Sequence, residues 1–439
     1  MPQPETLVAS RVASHERAGW LWMVTGRLRQ HQSHTRVLSG SIIMLFSAIL
    51  VSGVNFGYTV AMARMLGPSL FGHVSAAMTI LMLASAITLA FQLVCAKFVA
   101  RNDRAGARAS VYRSLLGKAW VVSLLVGAGL FLAQGPVAGY LHLPDSWILG
   151  VLAIGISAYV PLGVRRGALQ GVCAFGRLSG NALIESAAKF GTAILLVSLG
   201  YGVLGAVGAI SASVIVAYLI PPLPQEFKAR SEAAQPASFG EGAQAIVFFV
   251  GQVIINNIDI LLVKHFFPPE QAGLYAAVAL VGRVLYFAAW SVVSAMFPIS
   301  AAAKPREEDP NVILVPLLFV LGIAVVFVLV LSFFPGLIVE TIFGGGFSHA
   351  EPLLALYAVA TGLYALSVVL MAYEMSRRIA NTGWLQLAFS GVLIIAIGIF
   401  HAALRDVIMV QIVLMAFLLL VVSFPFFRRY KLLLGKEAA

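Results

Sequence analysis

The stretch ARMLGPSLFGHVSAAM, residues 63–78, lies between two long apolar runs, and KHFFPPEQAGLYAAVA, residues 264–279, lies between two more. Sliding the chain on itself by 201 residues, without a gap, pairs Asn55 with Asn256, Pro68 with Pro269, Gly72 with Gly273 and Ala76 with Ala277. The same offset pairs Leu162 with Leu363, Leu169 with Leu370, Arg177 with Arg378 and Ala187 with Ala388. Leu and Ala coincidences are common in so apolar a chain. Asn, Pro, Gly and Arg matches at one unchanged offset mark an internal repeat.

The solvent of that repeat follows from composition. The chain has 439 residues, 60% hydrophobic and 11% charged, with a mean hydropathy of +0.94. A soluble domain carries about 25% charge, so this chain belongs in a bilayer. Crossing the hydrocarbon takes about 20 apolar residues per helix. Twelve such segments are expected, over 39–63, 72–97, 117–137, 147–166, 181–200, 203–223, 243–263, 273–298, 312–334, 352–373, 384–401 and 407–427.

The charges set the orientation. Of 29 Lys and Arg, only Arg64, Lys264 and Arg405 fall in loops on one side, and Lys189 and Arg283 fall inside helices. The rest fall on the other side, which the positive-inside rule makes the cytoplasm, with both termini. The net charge of +11 is then a topology signal, and nucleic acid is not a partner. Basic runs such as RNDRAGARASVYR (101–113) read as loops facing the leaflet.

Six helices per repeat is an even number, so both copies start on the same side and are related by an axis along the membrane normal, a recurrent transporter plan. The expected organisation is a cytoplasmic N-terminal tail (1–38), an N-lobe (39–223), a linker (224–242), a C-lobe (243–427) and a basic cytoplasmic C-terminal tail (428–439). The first tail shows no cleaved signal peptide, and GWLWMVTGRLRQ can lie at the interface on Trp20 and Trp22.

Polar residues inside apolar helices mark the candidate site. Gln252, Asn256 and Asp259 are spaced four and three apart, one face of a helix, and Asn55 shares a face with Ser52 and Thr59. Such stripes face protein or water; they serve as interhelical hydrogen bonds or line a cavity. Arg283 stands about ten residues into its helix, too deep to snorkel at ~1.5 Å per residue. Its planar fork suits phosphate oxygens, and Tyr286 and Trp290 follow on its face. A structural partner such as Asp259 on the neighbouring helix is the alternative reading. Glu185 and Lys189, spaced i, i+4, read as a local ion pair. The turn FGGGF (343–347) lacks the context of a phosphate loop and reads as a flexible turn after a Pro335 kink.

The short loops leave no room for an extramembrane catalytic domain, so the chain is not read as an enzyme and needs no cofactor. Eight scattered histidines offer no metal spacing. Cys95 and Cys173, near the cytoplasmic face, do not form a disulfide.

ARMLGPSLFGHVSAA, RGALQGVCAFGRLSGNALIESAAKFGTAILL, GLYAAVALVGR and TIFGGGFSHAEPLLALYA together resemble polysaccharide or oligosaccharide flippases of the multidrug/oligosaccharidyl-lipid/polysaccharide exporter superfamily. The resemblance covers roughly residues 39–427. It implies two six-helix lobes around a central hydrophilic cavity in a bacterial inner membrane, with undecaprenyl-pyrophosphate-linked glycan as cargo, moved from inner to outer leaflet. Cavity candidates are then Arg283, Asn55, Asn256, Gln252, Tyr286 and Trp290, with Asp259 for ion coupling. Membrane lipids, a glycan polymerase and glycosyltransferases of the same pathway are the expected partners. A Na⁺- or H⁺-coupled drug or organic-cation antiporter of the same superfamily is the alternative reading, and a membrane-embedded glycan polymerase or ligase the third.

Overall fold

The structure is a computed structural model that describes residues 5–220, 223–230, 232–233, 243–302, 311–377 and 382–437. The expectations for the side chains of Trp20, Trp22 and the basic C-terminal tail, for the linker over 234–242 and for Arg378 lie outside the described residues.

The described elements are helical, without a strand among the described residues. In hydrocarbon no water satisfies the backbone, so apolar runs close their hydrogen bonds internally. The helices are α1 (Glu5–Arg101), α2 (Ala105–Leu132), α3 (Gln134–Tyr140), α4 (Trp147–Gly171), α5 (Phe175–Leu196), α6 (Gly202–Leu219) and α7 (Ala243–Ile255). They continue with α8 (Ile258–Phe266), α9 (Pro269–Ala302), α10 (Asn311–Phe333), α11 (Pro335–Ile342), α12 (Glu351–Arg377), α13 (Thr382–Ile399) and α14 (Leu404–Glu437). Among the described residues, nine stretches are long and apolar enough to cross a membrane, and a shorter apolar helix covers Gly383–Ile399. The protein is a multi-pass, all-helical membrane bundle.

The breaks explain how the expected segments are laid out. α1 is two limbs, because Gly67 (φ 72, ψ 173) leaves the helical region just before Pro68; the connector that opened the sequence reading is one tight turn. α5 runs into α6 through a π turn, Val197–Tyr201, that needs positive φ at Gly200 and Gly202. The single helix expected over 243–263 is broken. The Asn256 and Asn257 side chains donate to the carbonyls of Gln252 (2.8 Å) and Val253 (2.7 Å), the local competition by which Asn ends helices. Pro335 does not kink a helix; it sits in the first turn of α11, where its missing N–H costs nothing. The glycine run after it enters a 3-10 turn, Gly345–Ala350.

The basic run at 101–113 is also more than a lipid-facing loop. Arg108 pairs with Glu226 at 2.9 Å, and Arg113 donates to the carbonyl of Ala229 at 2.7 Å. The run ties α2 to the segment that follows α6.

The helices pack as two sets. α2, α4, α5 and α6 gather with α1, and α9, α10, α12, α13 and α14 gather with α7 and α8; the sets meet where α1 packs on α7, α8 and α9. The meeting point is the repeat itself. A Cβ on Gly72 would stand 2.7 Å from the Pro269 carbonyl oxygen, and one on Gly273 would run into the Pro68 carbonyl. Repeat mates therefore touch each other's backbones, Gly72 and Pro68 against Gly273 and Pro269. The contact is reciprocal, the arrangement expected where two copies of one unit meet.

Other bonds reinforce this end of the seam. Arg64 donates through Nε to the Ile342 carbonyl at 2.8 Å and through Nη2 to that of Thr341, crossing from the first half to α11. Phe71 meets Phe347 edge-on at 6.1 Å.

Candidate functional site

Two basic side chains singled out in the sequence, one in each half, stand inside apolar helices and form no ion pair with a carboxylate among the described residues. The first is Lys189 on α5. The local pair expected with Glu185 is not formed: Glu185 turns to Arg166 of α4 at 2.5 Å, and Arg166 also holds Asn181 at 2.8 Å. A bidentate-capable guanidinium outcompetes a lysine for a carboxylate. Lys189 instead donates to the Asn55 side-chain oxygen at 2.5 Å, with its ammonium 4.9 Å from the Tyr58 ring centre. Tyr58 is fully buried and donates to the Ala206 carbonyl, which fixes the ring.

The second is Arg283 on α9. Its Nη2 donates to the backbone carbonyl of Asn256 at 3.0 Å. That carbonyl is free to accept because the helix breaks there. Arg283 Nε is buried without a partner. The expected alternative, an ion pair with Asp259, is not present in the structure. Asn55 and Asn256 are repeat mates, so each half presents one cation leaning on the equivalent asparagine.

Around Arg283 the structure assembles an aromatic wall. Tyr286 lies 6.5 Å from Trp290 and 6.0 Å from Tyr364, both nearly parallel, and Phe249 meets Trp290 edge-on. Gln386 of α13 donates to the Tyr364 hydroxyl at 2.5 Å. Gln252 is buried with its Nε2 unpartnered. Gln252, Asn256, Arg283, Tyr286 and Trp290 thus share one region of the second half, while Asn55 stands in the first.

Asp259 goes elsewhere. The break after Asn256 rotates it away from the expected stripe and buries it to 2% exposure. Its Oδ2 accepts from Tyr275 (2.8 Å), Tyr357 (3.0 Å) and Gln411 (3.1 Å), and Oδ1 has no partner. Four helices, α8, α9, α12 and α14, contribute to this cage. A second buried carboxylate, Glu374 near the end of α12, also leaves Oε1 unpartnered. It was missed in the sequence, although it is the lone acid in the apolar run 352–375.

The geometry defines a class: a membrane bundle built from two like halves, sealed across their seam at one end, with an embedded cation in each half. A family model described as "polysaccharide biosynthesis protein" matches residues 37–304, and the chain belongs to that family. No curated protein matches the sequence. Among solved structures, a multidrug resistance MATE family transporter of the MOP superfamily in an inward-facing conformation is similar at 15% identity. That match covers 89% of this chain and 100% of that one, with a TM-score of 0.67. The lipid II flippase MurJ in an inward closed conformation is similar at 13% identity, covering 88% and 87%, with a TM-score of 0.71. An outward-facing MATE transporter of the same superfamily gives 15% identity, coverage of 90% and 96%, and a TM-score of 0.56. At these identities the likeness is one of fold.

Proposed function

We propose that the protein is a flippase that carries a lipid-linked glycan of the undecaprenyl-pyrophosphate type from the inner to the outer leaflet of a bacterial inner membrane. It works by alternating access, with twelve crossings and both termini in the cytoplasm. The halves correspond to residues 39–223 and 243–427, and the Pro68 end faces outward.

One observation carries this reading. Lys189 and Arg283 stand in opposite halves, bonded only to neutral oxygens, Asn55 Oδ1 and Asn256 O. An embedded charge held by neutral dipoles alone keeps much of its desolvation penalty unrelieved, and a ligand bearing two negative charges relieves both at once. A diphosphate has that charge. The aromatic wall of Tyr286, Trp290 and Tyr364 offers flat faces to sugars or to the lipid. The cation-antiporter reading needs an accessible carboxylate, and Asp259 is enclosed by two phenols and an amide. Its unpartnered Oδ1 suits a proton or a small metal cation instead, which supports ion coupling at Asp259 and leaves the cargo site to the cations.

The test is binding of a diphosphate-linked polyprenol to purified protein, set beside glycan export in cells. Arg283→Gln and Lys189→Gln should each lose binding and export at normal protein levels. Binding unchanged in both variants defeats the proposal.

A further inference from the structure

The seam has a second fastening, away from the glycine crossing. His265, at the end of α8 in the second half, lies flat on Tyr140, at the end of α3 in the first: the ring centres are 3.7 Å apart and the planes 8° from parallel. His265 Nδ1 is 2.7 Å from the Tyr140 carbonyl oxygen. A carbonyl only accepts, so Nδ1 carries the hydrogen. The His142 ring faces His265 at 5.9 Å, and Phe266 stacks on His401 at 3.9 Å.

We propose that the His265–Tyr140 stack is a proton-operated latch that holds the outer end of the seam closed. This rests on the alternating-access reading, in which that end opens.

The sign follows from which contacts cross the seam. A proton added at Nε2 turns the Nδ1–H···O bond into a charge-assisted one and lays a cation on the Tyr140 ring. Both gains link the two halves, so both vanish when the halves part. The opposing charge is Lys264, which is buried and points its ammonium to the first half's His142 carbonyl at 3.5 Å. Because that bond also crosses the seam, the ammonium's repulsion of a protonated His265 acts in the closed state and subtracts from the two gains, which keeps the net effect small.

The other ionisable groups at this end fall in place around that pair. His142 faces His265 from the first half, and His73 of α1 faces Lys264. His401 stands behind Phe266 and bonds to Ile397 O. Asp145 accepts from the Trp147 amide and Asp406 from the Ala403 amide. Glu270, at the start of α9, and Arg405, at the start of α14, form no ion pair or hydrogen bond with His265 in the structure. Among the described residues no carboxylate neutralises His265 in advance, and a proton on this ring finds its compensation across the seam.

The experiment measures the distance between spin labels at Gly135→Cys and Ala402→Cys, both exposed positions, in full-length protein lacking Cys95 and Cys173 and embedded in lipid without cargo. Lowering the pH from about 8 to about 5.5 should raise the closed-to-open ratio about fivefold. His265→Phe keeps a ring to stack but neither donates nor takes up a proton, and should flatten the profile while the protein stays monodisperse. His142→Phe and His401→Phe should leave it. A profile that survives His265→Phe, is absent from the parent, or runs toward opening in acid overturns the latch. A single distance at every pH overturns the two-conformation reading beneath it, whereas two distances without a pH response sink the latch alone.

Discussion

Gly273→Ala is the sharpest perturbation of the seam, because the added carbon has one place to go and that place holds a backbone carbonyl. The Cβ would overlap the Pro68 carbonyl, whereas the same change at Gly72 meets the Pro269 oxygen at 2.7 Å. Neither oxygen is the end of a flexible side chain, so the helices themselves must separate. Forcing an extra carbon into a packed contact costs about 1–3 kcal/mol, and the overlap at Gly273 puts it toward the upper part of that range. The cost falls only on the state in which the two halves touch. At about 2 kcal/mol the closed-to-open ratio drops roughly thirtyfold, since ~1.4 kcal/mol is tenfold. Against this, alanine in a helix interior is about 1 kcal/mol better than glycine, a gain present in both states that leaves the ratio alone. Gly273→Ala should therefore lose at most about 1 kcal/mol of stability against unfolding yet shift the spin-label distances toward opening, with Gly72→Ala shifting them less. Closed-state distances unchanged in Gly273→Ala would refute the crossing of repeat mates as the contact that seals this end.

Export separates the two features of Arg283: Arg283→Lys keeps charge without the fork and should retain part of the parent's activity, while Arg283→Gln should abolish it at equal abundance. Asn55→Leu leaves Lys189 with the Tyr58 ring alone, and should lower export without restoring an ion pair to Glu185, whose partner is Arg166; recovery of export by Glu185→Gln in that background would count against the assignment. Asp259→Asn turns an acceptor of three hydrogen bonds into a group that also donates, costing about 1–3 kcal/mol of stability, and should remove any Na⁺ or pH dependence of transport. Dependence unchanged in a folded Asp259→Asn protein excludes coupling there. Reporter fusions after residues 140, 268 and 347 should report the outside, and fusions after 105, 230 and 307 the inside; an inside reading at 268 breaks the orientation.

The architecture was legible because it is written in two one-dimensional signals, apolar run length and a gap-free offset. Asn55/Asn256 and Gly72/Gly273 needed no knowledge of packing to be paired. The site was legible only residue by residue. Periodicity put Asp259 on the face of Gln252 and Asn256, but that face exists only in an unbroken helix. The two asparagine side chains that satisfy the carbonyls of Gln252 and Val253 end the helix and turn Asp259 toward Tyr275, Tyr357 and Gln411. Those partners lie 16, 98 and 152 residues away, a distance that no local pattern reaches. Likewise the i, i+4 spacing of Glu185 and Lys189 was correct as spacing and silent about Arg166, which arrives from the preceding helix and wins the carboxylate.

That competition is what gives the site its character. Had Lys189 kept Glu185, the first half would present a neutral pair, and had Arg283 kept Asp259, so would the second. Each acid is instead satisfied by other groups: Glu185 by Arg166, and Asp259 by two phenols and an amide. Glu185 gains a guanidinium, which matches a carboxylate better than an ammonium does. Asp259 gains three donors on Oδ2 in a buried site. The two cations are left with an amide oxygen and a backbone carbonyl, bonds strong enough to hold them in place and too weak to quench their charge. A cavity that must bind an anion on one side and release it on the other benefits from this arrangement, since neutral dipoles hand over and take back a cation at a lower cost than a carboxylate would. Replacing Asn55 by Asp tests the point directly: it should tighten Lys189 into an ion pair, preserve the fold, and stop export of a diphosphate-linked cargo.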